Sequence, residues 1–207
     1  MKKVFFIDFD GTITTIDTCV KMVEVFAGEG WQEINQLWEE GAISTEECAR
    51  RTFALFDAQP KDISRLMHSI DIDPYFLSFI KICEEQGHQL YILSDGYDEN
   101  IRLILDRYKI ALPYFANKLI YEHGFSIQTP YANNDCGQCG TCKTKLMQQL
   151  LGHAQSVYIG DGYSDICPAK HADVVYAKSA LYDYCVHNGI PALPFHSFKD
   201  IIAGLPG

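Results

Sequence analysis

The feature that most constrains this chain is an apolar run, Val4-Phe5-Phe6-Ile7, that ends abruptly in Asp8-Phe9-Asp10-Gly11-Thr12-Ile13-Thr14. A short unbroken stretch of large apolar residues suits a strand buried on both faces. Two carboxylates at its end require the strand to stop and the chain to turn, and Gly11 supplies the freedom to turn. This is the layout of a phosphate-handling carboxylate site.

Residues 17 to about 73 lack strand-like runs. Apolar residues there recur at helical spacing (Val20, Val23, Val25, Phe26, then Trp31, Ile34, Leu37, Trp38), which predicts a bundle of short helices. Ser44 with Glu47 three residues on predicts a helix start closed by a capping box, and Gln59-Pro60-Lys61-Asp62 marks another boundary. After Pro74, the spacing of Phe76, Phe79, Ile80 and Cys83 predicts a helix stopped by Gly87, followed by a buried strand over 89–93. Helices over 98–108, 143–151, from Ser164 and over 180–188 then alternate with strands over 156–159 and 174–177, and a hairpin is expected around His123-Gly124. The expected architecture is α/β: a Rossmann-like parallel sheet formed by residues 1–14 and 74–207, with a helical-bundle cap, residues 15–73, inserted after the first strand. Ligands of such sheets bind at the carboxyl ends of the strands, and a cap there can exclude water and select a substrate.

Four segments at strand ends or helix starts fit one chemistry. Asp8 is a candidate nucleophile toward phosphorus and Asp10 a candidate acid and base for the leaving oxygen. Ser94 follows the strand over 89–93, and its hydroxyl can donate to a phosphoryl oxygen. Lys143, at a helix start, can neutralise the phosphoryl group and hold Asp8 beside it, with Lys145 as the competing candidate. Asp161 and Asp165 lie in Gly160-Asp161-Gly162-Tyr163-Ser164-Asp165, after a third apolar strand. Each piece alone has an ordinary reading as a turn or a solvated charge; the ordered set does not.

These segments resemble the DxDGT and GDxxxD motifs of the haloacid dehalogenase superfamily of aspartyl phosphatases. The resemblance implies Asp8 as nucleophile and a Mg²⁺ cofactor held by Asp8, Asp10 through its backbone carbonyl, and Asp161, with Asp165 in support. The helical insertion is similar to the branch that includes phosphoserine phosphatases. That family typically carries a Glu where Asp17 stands, and a carboxylate-gripping Arg where Thr52 stands, just after Arg50 and Arg51. The stretch Cys136-Gly137-Gln138-Cys139-Gly140-Thr141-Cys142-Lys143, the run from Val175 to Lys178 through Cys185, and Phe195-His196-Ser197-Phe198 resemble instead the 2-hydroxy-3-keto-5-methylthiopentenyl-1-phosphate phosphatases of methionine salvage. Asp17 agrees with that family, while Asp95 stands where both families more often have Gly. The resemblance implies a methionine-salvage-like phosphatase, with phosphoserine phosphatase, or a non-catalytic phosphate-ligand or metal-binding protein, as alternatives. Thr12, Asp17, Ser94, Asp95, Gly96, Arg51 and Lys178 are the candidates for substrate contact.

Composition bounds the partners. Seventeen basic against twenty-seven acidic residues, a net charge of -10, disfavour nucleic acid and anionic membranes, which require clustered positive charge. Met1-Lys2-Lys3 is followed by an apolar run too short for a signal-peptide core, so a cytoplasmic enzyme acting on a small phosphorylated metabolite is expected. Of eight cysteines, Cys19, Cys48, Cys83, Cys167 and Cys185 lie in apolar or helical stretches and are expected as buried reduced thiols. Cys136, Cys139 and Cys142 either pack beneath the Lys143 helix or supply part of a zinc site, with His123, Asp135 or His153 as a fourth ligand.

Overall fold

The computed structural model describes residues 2–205; Met1, Pro206 and Gly207, which the expected core segments include, lie outside them. Strand β1 (Lys3–Ile7) is followed by four short helices, α1 (Thr18–Phe26), α2 (Trp31–Glu39), α3 (Thr45–Phe53) and α4 (Pro60–Met67). Then come α5 (Phe76–Glu85), β2 (Gln89–Tyr97), α6 (Asp98–Tyr108), the hairpin of β3 (Tyr114–Tyr121) and β4 (Phe125–Gln128), α7 (Lys143–Leu150) and β5 (Gln155–Gly160). A 3-10 turn (Tyr163–Asp165) leads into α8 (Ile166–Ala169), β6 (Val174–Ala177), α9 (Ser179–His187), β7 (Leu193–Pro194) and α10 (Phe198–Ala203).

The seven strands form one sheet in the order β4-β3-β2-β1-β5-β6-β7. All pairings are parallel except β3 with β4, so the α/β reading holds, and β1 occupies the centre. Its alternating side chains explain why the sequence shows no polar face. Val4 and Phe6 enter the apolar cluster on one face, Phe5 and Ile7 the cluster on the other. Each contributes about 1.5–3 kcal/mol by leaving water.

Register brings the chemistry together. Ile7 lies opposite Ile92 of β2 and Ile159 of β5, so the ends of β1 and β5 lie level with each other and beside the last part of β2, and the Asp8 backbone N–H donates to the Ile159 carbonyl at 2.9 Å. The connection from β1 leads to β2 in one half of the sheet and that from its neighbour β5 leads to β6 in the other, which opens a crevice between them. The helices α1–α4 leave and return through a narrow neck. Thr14 bridges Ile72, Thr15 N–H donates to the Asp71 carbonyl, and Asp73 N–H donates to the Ile13 carbonyl. Met22, Ala49, Phe53, Ile63 and Met67 of these helices belong to the same buried cluster as Phe5 and Ile7.

Several local expectations are refined. Ser44 caps α3 by accepting from the Glu47 N–H at 3.2 Å, but the Glu47 carboxylate pairs with Arg50 and Arg51 instead of closing the box. Strand β2 runs beyond Leu93 to Tyr97, with a register shift between those residues that frees Ser94, Asp95 and Gly96 from regular pairing. The helix expected from Ser164 begins as a 3-10 turn. β7 and α10 have no counterpart in the periodicity. β7 is a two-residue edge strand with Pro194, whose missing N–H is tolerated at an edge.

Candidate active site

A cavity of about 190 Å³ opens at the carboxyl ends of β1, β2 and β5, beneath α1–α3. Asp8, Asp10, Asp161 and Asp165 form its floor, and Val20, Val23, Trp31 and Trp38 part of its roof.

Asp8 follows β1 directly and is buried. Its Oδ1 accepts from Lys143 Nζ at 2.5 Å, and the same ammonium donates to Asp165 Oδ1 at 2.6 Å and Ser164 Oγ at 3.0 Å. Lys143 is itself 2 % exposed, whereas Lys145 takes no part in the cluster. Burial alone would discharge Lys143, but Asp165 and Asp8 carry it well above the ordinary lysine value, so it stays cationic. Burial, reinforced by Asp165, pushes the Asp8 carboxyl well above the usual carboxylate range.

Gly11, at φ +75°, turns the chain and lets Asp10 face the same cavity. Its Oδ1 accepts from the Thr18 N–H and hydroxyl at the start of α1, and its Oδ2 from Ser94 Oγ at 3.0 Å. Burial raises Asp10 despite these donors. Gly96 is packed so closely that a Cβ there would lie 2.4 Å from Asp10 Oδ2, which explains a residue without a side chain at that position.

Asp161 accepts from Thr12 Oγ1 at 2.9 Å, and burial followed by the Asp165 charge raises it to about 6. Asp165 is fully buried with both oxygens engaged. Oδ1 takes Lys143 and the Tyr158 hydroxyl, while Oδ2 takes the backbone N–H groups of Asp161 and Gly162. It therefore organises the loop that presents Asp161. Ligand oxygens of Asp8, Asp161 and Asp165 lie within 4.8 Å of one another. Hard oxygen donors in a group whose carboxylates outnumber its cations, with the proton affinities of Asp8 and Asp161 raised, fit a divalent cation.

The remaining candidates divide. Asp17 lines the cavity as the N-cap of α1, accepting from Val20 N–H at 2.8 Å; enclosure and the neighbouring Asp10 raise it to about 7, although it stays open to solvent. Asp95 also lines it, but its side chain is taken up by Thr45 of α3 at 2.6 Å, the Thr141 N–H at 2.8 Å and Asn117 of β3 at 3.2 Å. Trp38 in turn donates to Thr45. Asp95 thus ties α2 and α3 to the sheet, a role invisible without the fold. Ser94 is fully buried and donates to Asp10, not into open space. Lys178 sits over the Phe195 ring at 5.1 Å, outside the cavity lining, its charge disfavoured by burial. Arg51 is a correction: it lies on the exposed face of α3, bound to Glu47 at 2.6 Å, because the helix turns its neighbour Thr52 toward the cavity instead. Cys19 and Cys48 line the cavity, and Cys167 is exposed where a buried thiol was expected.

Comparison with known proteins accords with this geometry. A solved phospho-aspartyl intermediate analogue of phosphoserine phosphatase superposes with a TM-score of 0.74 at 18 % identity, covering 99 % of each chain. A substrate-bound phosphoserine phosphatase gives 0.73 at 18 %, covering 100 % of this chain and 99 % of the other. Curated relatives named 2-hydroxy-3-keto-5-methylthiopentenyl-1-phosphate phosphatase are 32 % identical in Brevibacillus brevis, over 97 % of this chain and 94 % of the relative, and 31 % in Geobacillus kaustophilus, over 98 % and 94 %. The protein is a phosphatase of the haloacid dehalogenase class, a phosphoric monoester hydrolase. Within that class, the chain belongs to the family described as Putative Phosphatase, whose profile matches residues 3–196. No helix among the described residues is long and apolar enough to cross a membrane.

Proposed function

We propose that the protein is a Mg²⁺-dependent phosphatase that hydrolyses a small phosphomonoester through an aspartyl-phosphate on Asp8, with 2-hydroxy-3-keto-5-methylthiopentenyl-1-phosphate as its substrate. The carrying observation is the pairing of Asp8 with Lys143 at 2.5 Å on the floor of a cavity that Asp10 also faces. A carboxylate oxygen of Asp8 attacks phosphorus and the bond from phosphorus to the ester oxygen breaks. Asp10, whose proton affinity burial raises, gives its proton to that oxygen. Water then attacks the acyl phosphate, Asp10 takes a proton from it, and phosphate leaves with Asp8 regenerated. Lys143 offsets charge on Asp8 and the phosphoryl group throughout. Ser94 and Thr18 hold Asp10 in place. Mg²⁺ held by Asp8 and Asp161, oriented by Asp165, would lower the repulsion between the anionic nucleophile and the anionic ester.

The substrate assignment rests on the roof. Residues 15–73 act as the substrate-selecting cap in this reading, with Trp31, Trp38, Val20 and Val23 offering apolar surface to a methylthio tail. The cavity lining contains no Arg or Lys, and Thr52 stands where a carboxylate-gripping Arg would. This disfavours phosphoserine, and the names of the relatives support the methylthio ester. A second reading draws on the Asp17 and Glu39 carboxylates beside the two indoles, a combination that suits an ammonium-bearing phosphate ester.

Phosphate release with Mg²⁺ and with chelator, across the methylthio enol-phosphate, phosphoserine and amino-alcohol phosphates, tests both. Mg²⁺-dependent preference for the enol-phosphate is expected. Preference for phosphoserine would overturn the cap argument, and turnover undiminished by chelation would overturn the metal assignment.

A further inference from the structure

Thiols at Cys136, Cys139 and Cys142 recur at intervals of three in the loop before α7. The fold adds a fourth that sequence order hides: Cys167, in α8, lines the same small cavity as those three. This cavity, about 40 Å³, is separate from the one beneath α1–α3, and Lys143 and Ser164 form part of its wall. A space of that order holds a single water or ion.

We infer that Cys136, Cys139, Cys142 and Cys167 form a structural zinc site that fastens the start of α7 to the start of α8. The donor set is four thiolate precursors with no carboxylate or imidazole among the cavity's residues, which selects a soft, tetrahedral ion over Mg²⁺. The spacing Cys-x-x-Cys-x-x-Cys is that of a metal-binding loop. The loop is built as a tight turn: the N–H groups of Cys136 and Gly137 both donate to the Asn133 carbonyl, at 3.1 and 2.8 Å, and Gly137 has φ +67°. No helix or strand is present between Gln128 and Lys143; a Tyr131–Thr141 bridge, the bonds of Gln138 to Ile43 and Thr45 and that of Thr141 to Asp95 hold parts of this connection, and ligation would add a tie from its thiols to α8. The thiols ring the space without converging on one tetrahedron. Among the described residues, the clusters with ligand atoms within 4.8 Å of one another belong to the larger cavity, so ligation draws the loop inward.

The position gives the ion a purpose. Cys142 immediately precedes Lys143, and Cys167 lies two residues after Asp165. Lys143 and Asp165 are bonded to each other, and Lys143 holds Asp8. Zinc would therefore fix, from behind, the two backbone segments that hold the nucleophile, acting on positioning and not on chemistry.

Protein purified from zinc-supplemented cells and dialysed against a weak chelator is to be analysed for metal and for reactive thiols. About one zinc per chain is expected, lost in Cys139→Ser and Cys167→Ser. Reconstitution of the unmutated chain with Co²⁺ should give thiolate-to-cobalt charge-transfer absorption and tetrahedral d–d bands, a readout that survives misfolding of the variants. Absence of zinc with a featureless Co²⁺ spectrum, a disulfide between any two of the four cysteines in fresh protein, or full zinc content in Cys167→Ser would each overturn the site. Metal content and spectrum are read without turnover, so failure of the phosphatase mechanism and failure of this site are separable.

Discussion

Replacing Lys143 with Met keeps most of the apolar stem of the side chain and removes the ammonium, with its charge and the three hydrogen bonds it donates. In the folded protein the ammonium stands between Asp8 at 2.5 Å and Asp165 at 2.6 Å, all three side chains being at most 6 % exposed. Without it, two buried carboxylates face each other, with Asp161 near enough to raise Asp8 further. Breaking a buried pair so that charge is left uncompensated costs about 3–5 kcal/mol. For a chain of this size about 1 kcal/mol moves Tm by about 2–4 °C, so Lys143→Met should lower Tm by about 6–20 °C at pH 7.5 in chelator. The carboxylates can relieve the penalty only by taking protons, so the loss should shrink as pH falls toward 5. Thermal unfolding followed by circular dichroism at both pH values, beside turnover with Mg²⁺, checks this. A Tm equal to the unmutated protein at pH 7.5, or a loss independent of pH, would refute the view that charge compensation holds this cluster together.

Asp8→Asn should abolish turnover with Tm unchanged or raised, because the amide oxygen can still accept from Lys143, whose charge remains paired with Asp165; single-turnover phosphate release with circular dichroism as control measures it, and residual normal turnover would exclude Asp8 as nucleophile. The metal-free protein should lose stability as pH rises from 3.8 to about 6: Asp161 titrates higher folded than unfolded, so the folded state holds the extra proton in that window. The loss from this carboxylate is on the order of 3 kcal/mol, and saturating Mg²⁺ should abolish or reverse the trend in Tm against pH, since cation binding favours the ionised form. Thr52→Arg should place a guanidinium at the cavity wall and raise kcat/KM for phosphoserine relative to the methylthio ester, read from paired steady-state kinetics.

What could be read along the chain was what depends on near neighbours. α6 and β6 begin and end where periodicity put them, and the hairpin turns at His123-Gly124. Asp8 and Asp10 stand at a strand end because four apolar residues must be buried and two carboxylates beside them must stop the strand. Elsewhere the same local signal admitted two outcomes. Ser44 caps its helix, but Glu47 finds two arginines one turn on, a competition that spacing alone does not resolve.

Residue types and order in the sequence were therefore sufficient for the α/β class and for the set of groups able to handle a phosphate. Tertiary structure alone decided which of those groups meet. Lys143 reaches Asp8 across 135 positions, Ser94 turns to Asp10, and Asp95 grips Thr45 and Thr141 instead of standing free. It also decided that Thr52 and not Arg51 faces the cavity, and that Cys167 joins the three thiols of the α7 loop. The reason is physical: periodicity and turn chemistry act over a few residues, whereas these contacts are set by strand register and by the direction in which each helix presents its faces, neither of which exists until the sheet has closed.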